Sequence, residues 1–228
     1  MVSENSLRRL RELIQRIVEA ETDDFFELAK IAGLNPAKDF STANLSGLDL
    51  RSAQLVGANF IATNLSQANL VNANLAEASL INANLVGALL VNANLNGASL
   101  VSADMMGANL VRAQLLSTNL TGANLTKANL DHADLRRAVL IGCKLDDASL
   151  QLASLNHVDL RRSSLTKVDF TGANLYGTNL SNADLRWANL SDVNLAGANF
   201  GMTLLGGNQG LTRDAVADLK RRGAIFER

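Results

Sequence analysis

The chain is poor in most residue types from which catalytic and binding sites are built. It has one cysteine, Cys143, so no internal disulfide can form. A single proline excludes a Pro-rich linker or tail. Lys and Arg total 21 against 22 Asp and Glu, so the basic excess of a protein that wraps nucleic acid is missing. Aromatic residues are only 4% while hydrophobic residues are 47%, which leaves Leu and Ala as most of the apolar content. No apolar run approaches the ~20 residues needed to span a bilayer. The N-terminal stretch NSLRRLRELIQRIVEA carries paired arginines, but Glu12, Gln15, Arg16 and Glu19 interrupt the apolar segment that a twin-arginine export signal requires. These absences predict a soluble, cytoplasmic protein with no transmembrane segment and no nucleic-acid partner.

What the sequence has in abundance is repetition. Residues 68–85 read ANLVNANLAEASLINANL, and every position divisible by five from 40 to 200 is Leu or Phe except Met105. With that residue called i, position i−2 is small on nearly every repeat, i−1 is most often Asn or Asp, and i+2 is often Gly. On an α-helix a five-residue period would advance each Leu by about 140° and give no apolar face. On a straight strand it would send alternate Leu to opposite faces. The pattern fits a short extended piece followed by a bend. Residues i−2 and i then point inward together, and the bend falls at i+1 and i+2, where Gly is tolerated. A chain that bends the same way every five residues coils, and its coils stack.

Tandem A-(N/D)-L-x-x units without a register slip from residue 40 to about 205 resemble the pentapeptide-repeat family. The resemblance implies an all-β solenoid: a right-handed quadrilateral β-helix with four units per coil and about eight coils. Three parts are expected: an N-terminal helical segment (1–39), the β-helix (40–205) and a C-terminal capping helix (206–228). Leu7, Leu10, Ile14 and Ile17 form one helical stripe in residues 6–19. A second helix is expected over 23–32, from Thr22 or Asp23 to Gly33, and a third from Thr212 to about Arg222. Such elements would cover the open strand edges of a solenoid. The segments DFFELAKIAGLNPAKDF and GLTRDAVADLKRRGAIF also resemble flanks of cyanobacterial members of the family.

No constellation for chemistry emerges. His132 and His157 both fall at i+2, on the outside, and are placed on adjacent faces rather than together. Cys143 replaces Ala in an inward slot, as a small hydrophobe with no base beside it. No phosphate loop, zinc spacing or nucleophile elbow is present. No catalytic residue, cofactor or metal is therefore assigned, and the protein is not expected to be an enzyme.

The outward positions are more informative. From 41 to 120 the only charged residues are Asp49, Arg51, Glu77, Asp104 and Arg112, whereas 121–200 contains sixteen, equally divided in sign. The sparsely charged half places aliphatic residues outward: Val71, Leu89, Val91 and Val111 on one face, Ile61, Ile81 and Val101 on the opposite one, and Val86 and Met106 between. A patch of this kind marks an interaction surface, with the 6–19 helix or a second copy of the chain as its expected cover. Alternatively, β-branched residues simply suit extended coils and are tolerated singly. Arg186 and Trp187 form a secondary candidate, read either as a binding hot spot or as a cation–π contact on a solvated face.

The best-known activity of the family is mimicry of DNA, which modulates DNA gyrase. That requires a strongly negative rod, and the near-neutral chain lacks one. Ice binding fails because Thr121, Thr126, Thr166 and Thr171 scatter over different faces. The sequence therefore points to a non-enzymatic structural or interaction scaffold, oligomeric and with an unidentified protein partner. Cyanobacterial development or envelope assembly is the context that the flanks suggest.

Overall fold

The computed structural model describes residues 40–227 continuously, residues 29–35, and Arg8, Glu12, Gln15, Arg16 and Glu19. The stripe expected at Leu7, Leu10, Ile14 and Ile17, and most of the helix expected over 23–32, lie outside the described residues. Residues 29–31 are helical and end in a turn at Gly33, whose φ of 75° is the left-handed geometry of a helix stop. Arg8 pairs with Glu12 at 3.5 Å.

From residue 44 onward the backbone is joined by parallel bridges, each linking a residue to the one twenty further on, from Asn44 with Asn64 through Asn189 with Gln209. Four five-residue sides therefore make one coil. Three backbone hydrogen bonds per side hold adjacent coils together. Leu45 N donates to Asn64 O at 2.8 Å, Asn64 N to Ala43 O at 2.9 Å, and Gly47 N to Ser66 O at 2.9 Å. The fold is the right-handed β-helix of pentapeptide repeats, with sides too short to register as long strands.

Each side ends in a turn that local chemistry enforces. The carbonyl of residue i accepts the N–H of i+3, as in Ala68 N to Leu65 O at 3.1 Å. The third turn residue, i+2, has positive φ at every corner from Thr42 to Gly207, the requirement of a type II turn. Gly and Asn recur there because they adopt this conformation readily. Val and Ile never occupy it, because their branched Cβ disfavours positive φ; on the outward turn they are found at i+1 instead. The Asn at i−1 begins the turn. Its Oδ1 accepts the N–H two residues on, as in Asn59 with Ile61 at 3.2 Å and Asn84 with Val86 at 3.1 Å.

The interior is a stack of Leu layers with Ala between them, essentially without solvent access from Leu65 to Leu190. Polar residues that replace Ala are satisfied inside. Thr118 Oγ1 donates to Leu95 O at 2.8 Å, Thr178 Oγ1 to Leu155 O at 2.7 Å and Ser163 Oγ to Leu140 O at 2.6 Å. No buried side-chain N or O is left without a partner among the described residues. Phe40 and Phe60, one coil apart, stack with centroids 5.9 Å apart.

After the last coil, Leu204–Leu205 (β1) is followed by the helix Arg213–Arg221 (α1) and Ile225–Phe226 (β2), which pairs parallel with β1. Thr212 caps α1 by accepting from Ala215 N at 3.2 Å. Arg222 follows α1, pairs with Asp218, and donates to Leu195 O at 2.8 Å. These contacts cover part of the open edge left by the final coil.

Candidate interaction surface

Because the core consumes positions i−2 and i, only i−1, i+1 and i+2 reach solvent, and each forms a column with a twenty-residue step. Among the proposed surface residues, Ile61 is 36% exposed, Leu89 41% and Met106 43%. Val71, Ile81, Val86, Val91, Val101 and Val111 are half-buried. Each of these i+1 side chains has at least one apolar same-column neighbour one coil away, which explains the partial burial. Val86, Leu89 and Val91 lie along one side and its flanking corners, beside Val71, Val111 and Met106. Ile61, Ile81 and Val101 occupy a separate corner. Leu89 bridges Asn69 and Asn109 in the i−1 column, where it replaces a turn-initiating Asn.

Trp187 is 60% exposed but not loosely presented. Its ring lies against Gly207, the same corner one coil later. Arg186 is not stacked on it. Its guanidinium holds Asp184 at 2.6 Å and Glu227 at 2.8 Å, tying the last coil to the C-terminal strand. The cation–π contacts among the described residues are instead Lys220 over Phe226 and Arg222 over Phe200. The cation–π reading of the Arg186 and Trp187 pair is thus corrected: the cation is fully engaged by two carboxylates.

The charged half is organised by a recurring Asp-Leu-Arg. Asp134 with Arg136, Asp159 with Arg161 and Asp184 with Arg186 pair across one turn at 2.7, 2.7 and 2.6 Å. Asp49 and Arg51 repeat the arrangement at 2.6 Å. In each Asp the side-chain bond to its arginine holds the carboxyl below the usual range. Burial pushes the Cys143 thiol up to about 12, and its Sγ donates to Leu120 O at 2.8 Å. A thiol in that state is a packing group. Among the described residues no three potential ligands gather to hold a metal. No described helix is long and apolar enough to cross a membrane.

One concavity was not legible residue by residue. A groove of about 820 Å³ runs along a corner column and is lined by Leu116, Asp134, Arg136, Arg137, Ser154, Asn156, His157 and Tyr176. Leu116, Arg136, Asn156 and Tyr176 are successive i+1 residues, so the twenty-residue step alone could have brought them together in the sequence.

A uniformly stacked, twenty-residue-per-coil solenoid with a closed apolar core and a variable exterior defines a repeat protein of the β-helix class. The sequence matches the description "Pentapeptide repeats" over 39–75, 53–90, 73–112, 118–156, 143–182, 153–192 and 178–203. The chain belongs to the pentapeptide-repeat family. Among solved structures it is similar to HetL of the cyanobacterium Nostoc, described as involved in heterocyst differentiation regulation. That match has 29% identity and a TM-score of 0.55, and covers 76% of this chain and 90% of HetL. It is also similar in fold to full-length QnrB1, a plasmid-mediated fluoroquinolone resistance protein, at 18% identity and a TM-score of 0.62. That match covers 80% of this chain and 97% of QnrB1. Comparison with curated protein sequences gives no match.

Proposed function

We propose that the protein is a non-enzymatic protein-interaction scaffold, acting in the cytoplasm as an oligomer built through its exposed aliphatic surface. The observation that carries this reading is the division of labour in the repeat. Inward slots are filled and internally satisfied, so only the outward columns are free to vary, and they vary from aliphatic in one half to charged in the other. The regulatory description of HetL supports a developmental role, with envelope assembly as the other context suggested by the flanks. In this reading residues 1–39 form a helical segment, 40–205 the interaction prism and 206–228 its C-terminal cap.

The alternative is a DNA-mimicking modulator of DNA gyrase. QnrB1 lends that reading the fold alone, and a net charge of −1 argues against it. A supercoiling assay with purified gyrase separates the two. The scaffold reading expects unchanged supercoiling with the protein in tenfold excess over enzyme. Inhibition or protection near stoichiometric concentration would replace it with the mimicry reading.

A further inference from the structure

The corner groove combines three features: a concavity, an unpaired guanidinium and a set of uncommitted polar side chains. Arg136 spends its Nε and Nη2 on Asp134, at 2.8 and 2.7 Å. Arg137, next along the chain, stands exposed at the left-handed corner position with no ion pair among the described residues. The side chains of Ser154, Asn156, His157 and Tyr176 make no hydrogen bond to the described protein. This contrasts with the neighbouring Asn and Asp residues of the i−1 columns, which begin turns or bridge coils. His157 is nevertheless fixed. Its ring meets Tyr176 edge-on at 5.4 Å and lies over Gly177, where an added Cβ would stand 2.6 Å from Nδ1.

The lining therefore has one formal positive charge in excess and more donors than acceptors. Arg137 alone offers five N–H groups and accepts none. A ligand rich in acceptors and negative charge suits it, and a carboxylate can take the guanidinium in two parallel hydrogen bonds. Leu116 and Tyr176 stand at the two ends of the column as apolar contacts. Three coil steps separate them, about 14 Å at a strand spacing near 4.8 Å. That length accommodates about four residues of extended chain at roughly 3.3 Å each. A single surplus cation is too little for a nucleic-acid backbone, whose binding depends on many phosphate contacts.

We propose that this groove docks an acidic, extended peptide segment of a partner protein, with a carboxylate on Arg137 and apolar side chains against Leu116 and Tyr176. The proposal rests on the scaffold reading and gives one of its surfaces a partner chemistry. It predicts a binding role for His157, Arg137 and Tyr176 that is independent of the aliphatic surface around Leu89.

The test is selection of a random heptapeptide phage library on the full chain, followed by binding measurements on Arg137→Asn combined with Tyr176→Ala. Both replacements are types that the repeat already uses in these positions, Asn at Asn72, Asn92 and Asn182 and Ala at Ala76 and Ala196, so the prism should keep its unfolding temperature. The expected result is enrichment of peptides pairing Asp or Glu with an aliphatic or aromatic residue, and at least tenfold weaker binding to the double variant. Absence of acidic enrichment, or equal binding to wild type and double variant, overturns the proposal. Peptides lost on Leu89→Asp with Val91→Asp but retained on the groove variant would sink the groove while leaving the scaffold reading standing.

Discussion

The ring of Trp187 lies directly over Gly207, so closely that a Cβ on Gly207 would stand 2.1 Å from Trp187 Cε3. The same relationship links Gln67 to Gly87, Leu152 to Gly172 and His157 to Gly177, where an added Cβ would meet the side chain at 2.1, 2.7 and 2.6 Å. A large residue at i+2 leans over the next coil, and glycine one coil later leaves room for it. Trp187 is thus held in place by the solenoid, whatever else it contacts.

Replacing Gly207 by Ala should displace the indole, at a cost of about 1–3 kcal/mol for overpacking added to the strain of Ala at a left-handed corner. In a Trp187→Ala background the overpacking is relieved and the change should cost less, about 1–2 kcal/mol, because only the left-handed backbone at Gly207 is then penalised. Denaturant unfolding of the four proteins measures the coupling. Emission from this single tryptophan should also shift to the red in Gly207→Ala alone.

The core distinguishes shape from polarity. Leu110 has no solvent access, and Leu110→Ala should destabilise by about 2–5 kcal/mol through the cavity it leaves. Thr178→Val should cost about 1 kcal/mol or less. It removes a donor, but the Leu155 carbonyl that it served still accepts the turn N–H of Val158 at 3.2 Å. Thermal unfolding of both variants checks the order.

The Asp159 carboxyl is held below its ordinary range by the bond to Arg161. A group whose folded pKa is lowered contributes stability that is present above its unfolded value, near 3.8, and is lost as pH falls through the folded value. Arg161→Gln should therefore unfold at a lower temperature than wild type at pH 6. The gap should close as pH drops below 4. A gap that widens in acid would mean that the pair is not the source.

Cys143 is buried, with its thiol pushed up to about 12. A soluble disulfide reagent at pH 8 should leave it unmodified in the native protein and react at a rate set by unfolding of the coils around residue 143. Fast reaction in native buffer would show that the interior opens locally there.

Much of the architecture could be read directly from residues. The Leu at every fifth position and the small residue two before it mark the inward pair, and both are buried. The count of four sides per coil came only from family resemblance, because a period of five does not say how many bends close a turn. The bridges from Asn44 to Asn64 onward supply it. The frequency of Asn at i−1 is plain in the sequence, and its function appears only when Asn59 Oδ1 is seen accepting Ile61 N. The absence of Val and Ile from i+2 was present in the sequence, but its cause is the left-handed corner there. The groove was hardest to foresee. Leu116, Arg136, Asn156 and Tyr176 are unremarkable singly and acquire meaning through their common column.

The scaffold account depends most directly on whether the aliphatic surface around Leu89 joins one chain to another. The decisive measurement is solution mass by light scattering for wild type and for Leu89→Asp with Val91→Asp. The account predicts a wild-type dimer and a folded monomeric variant with an unchanged β-helix spectrum. Monomers of equal stability in both samples would contradict it.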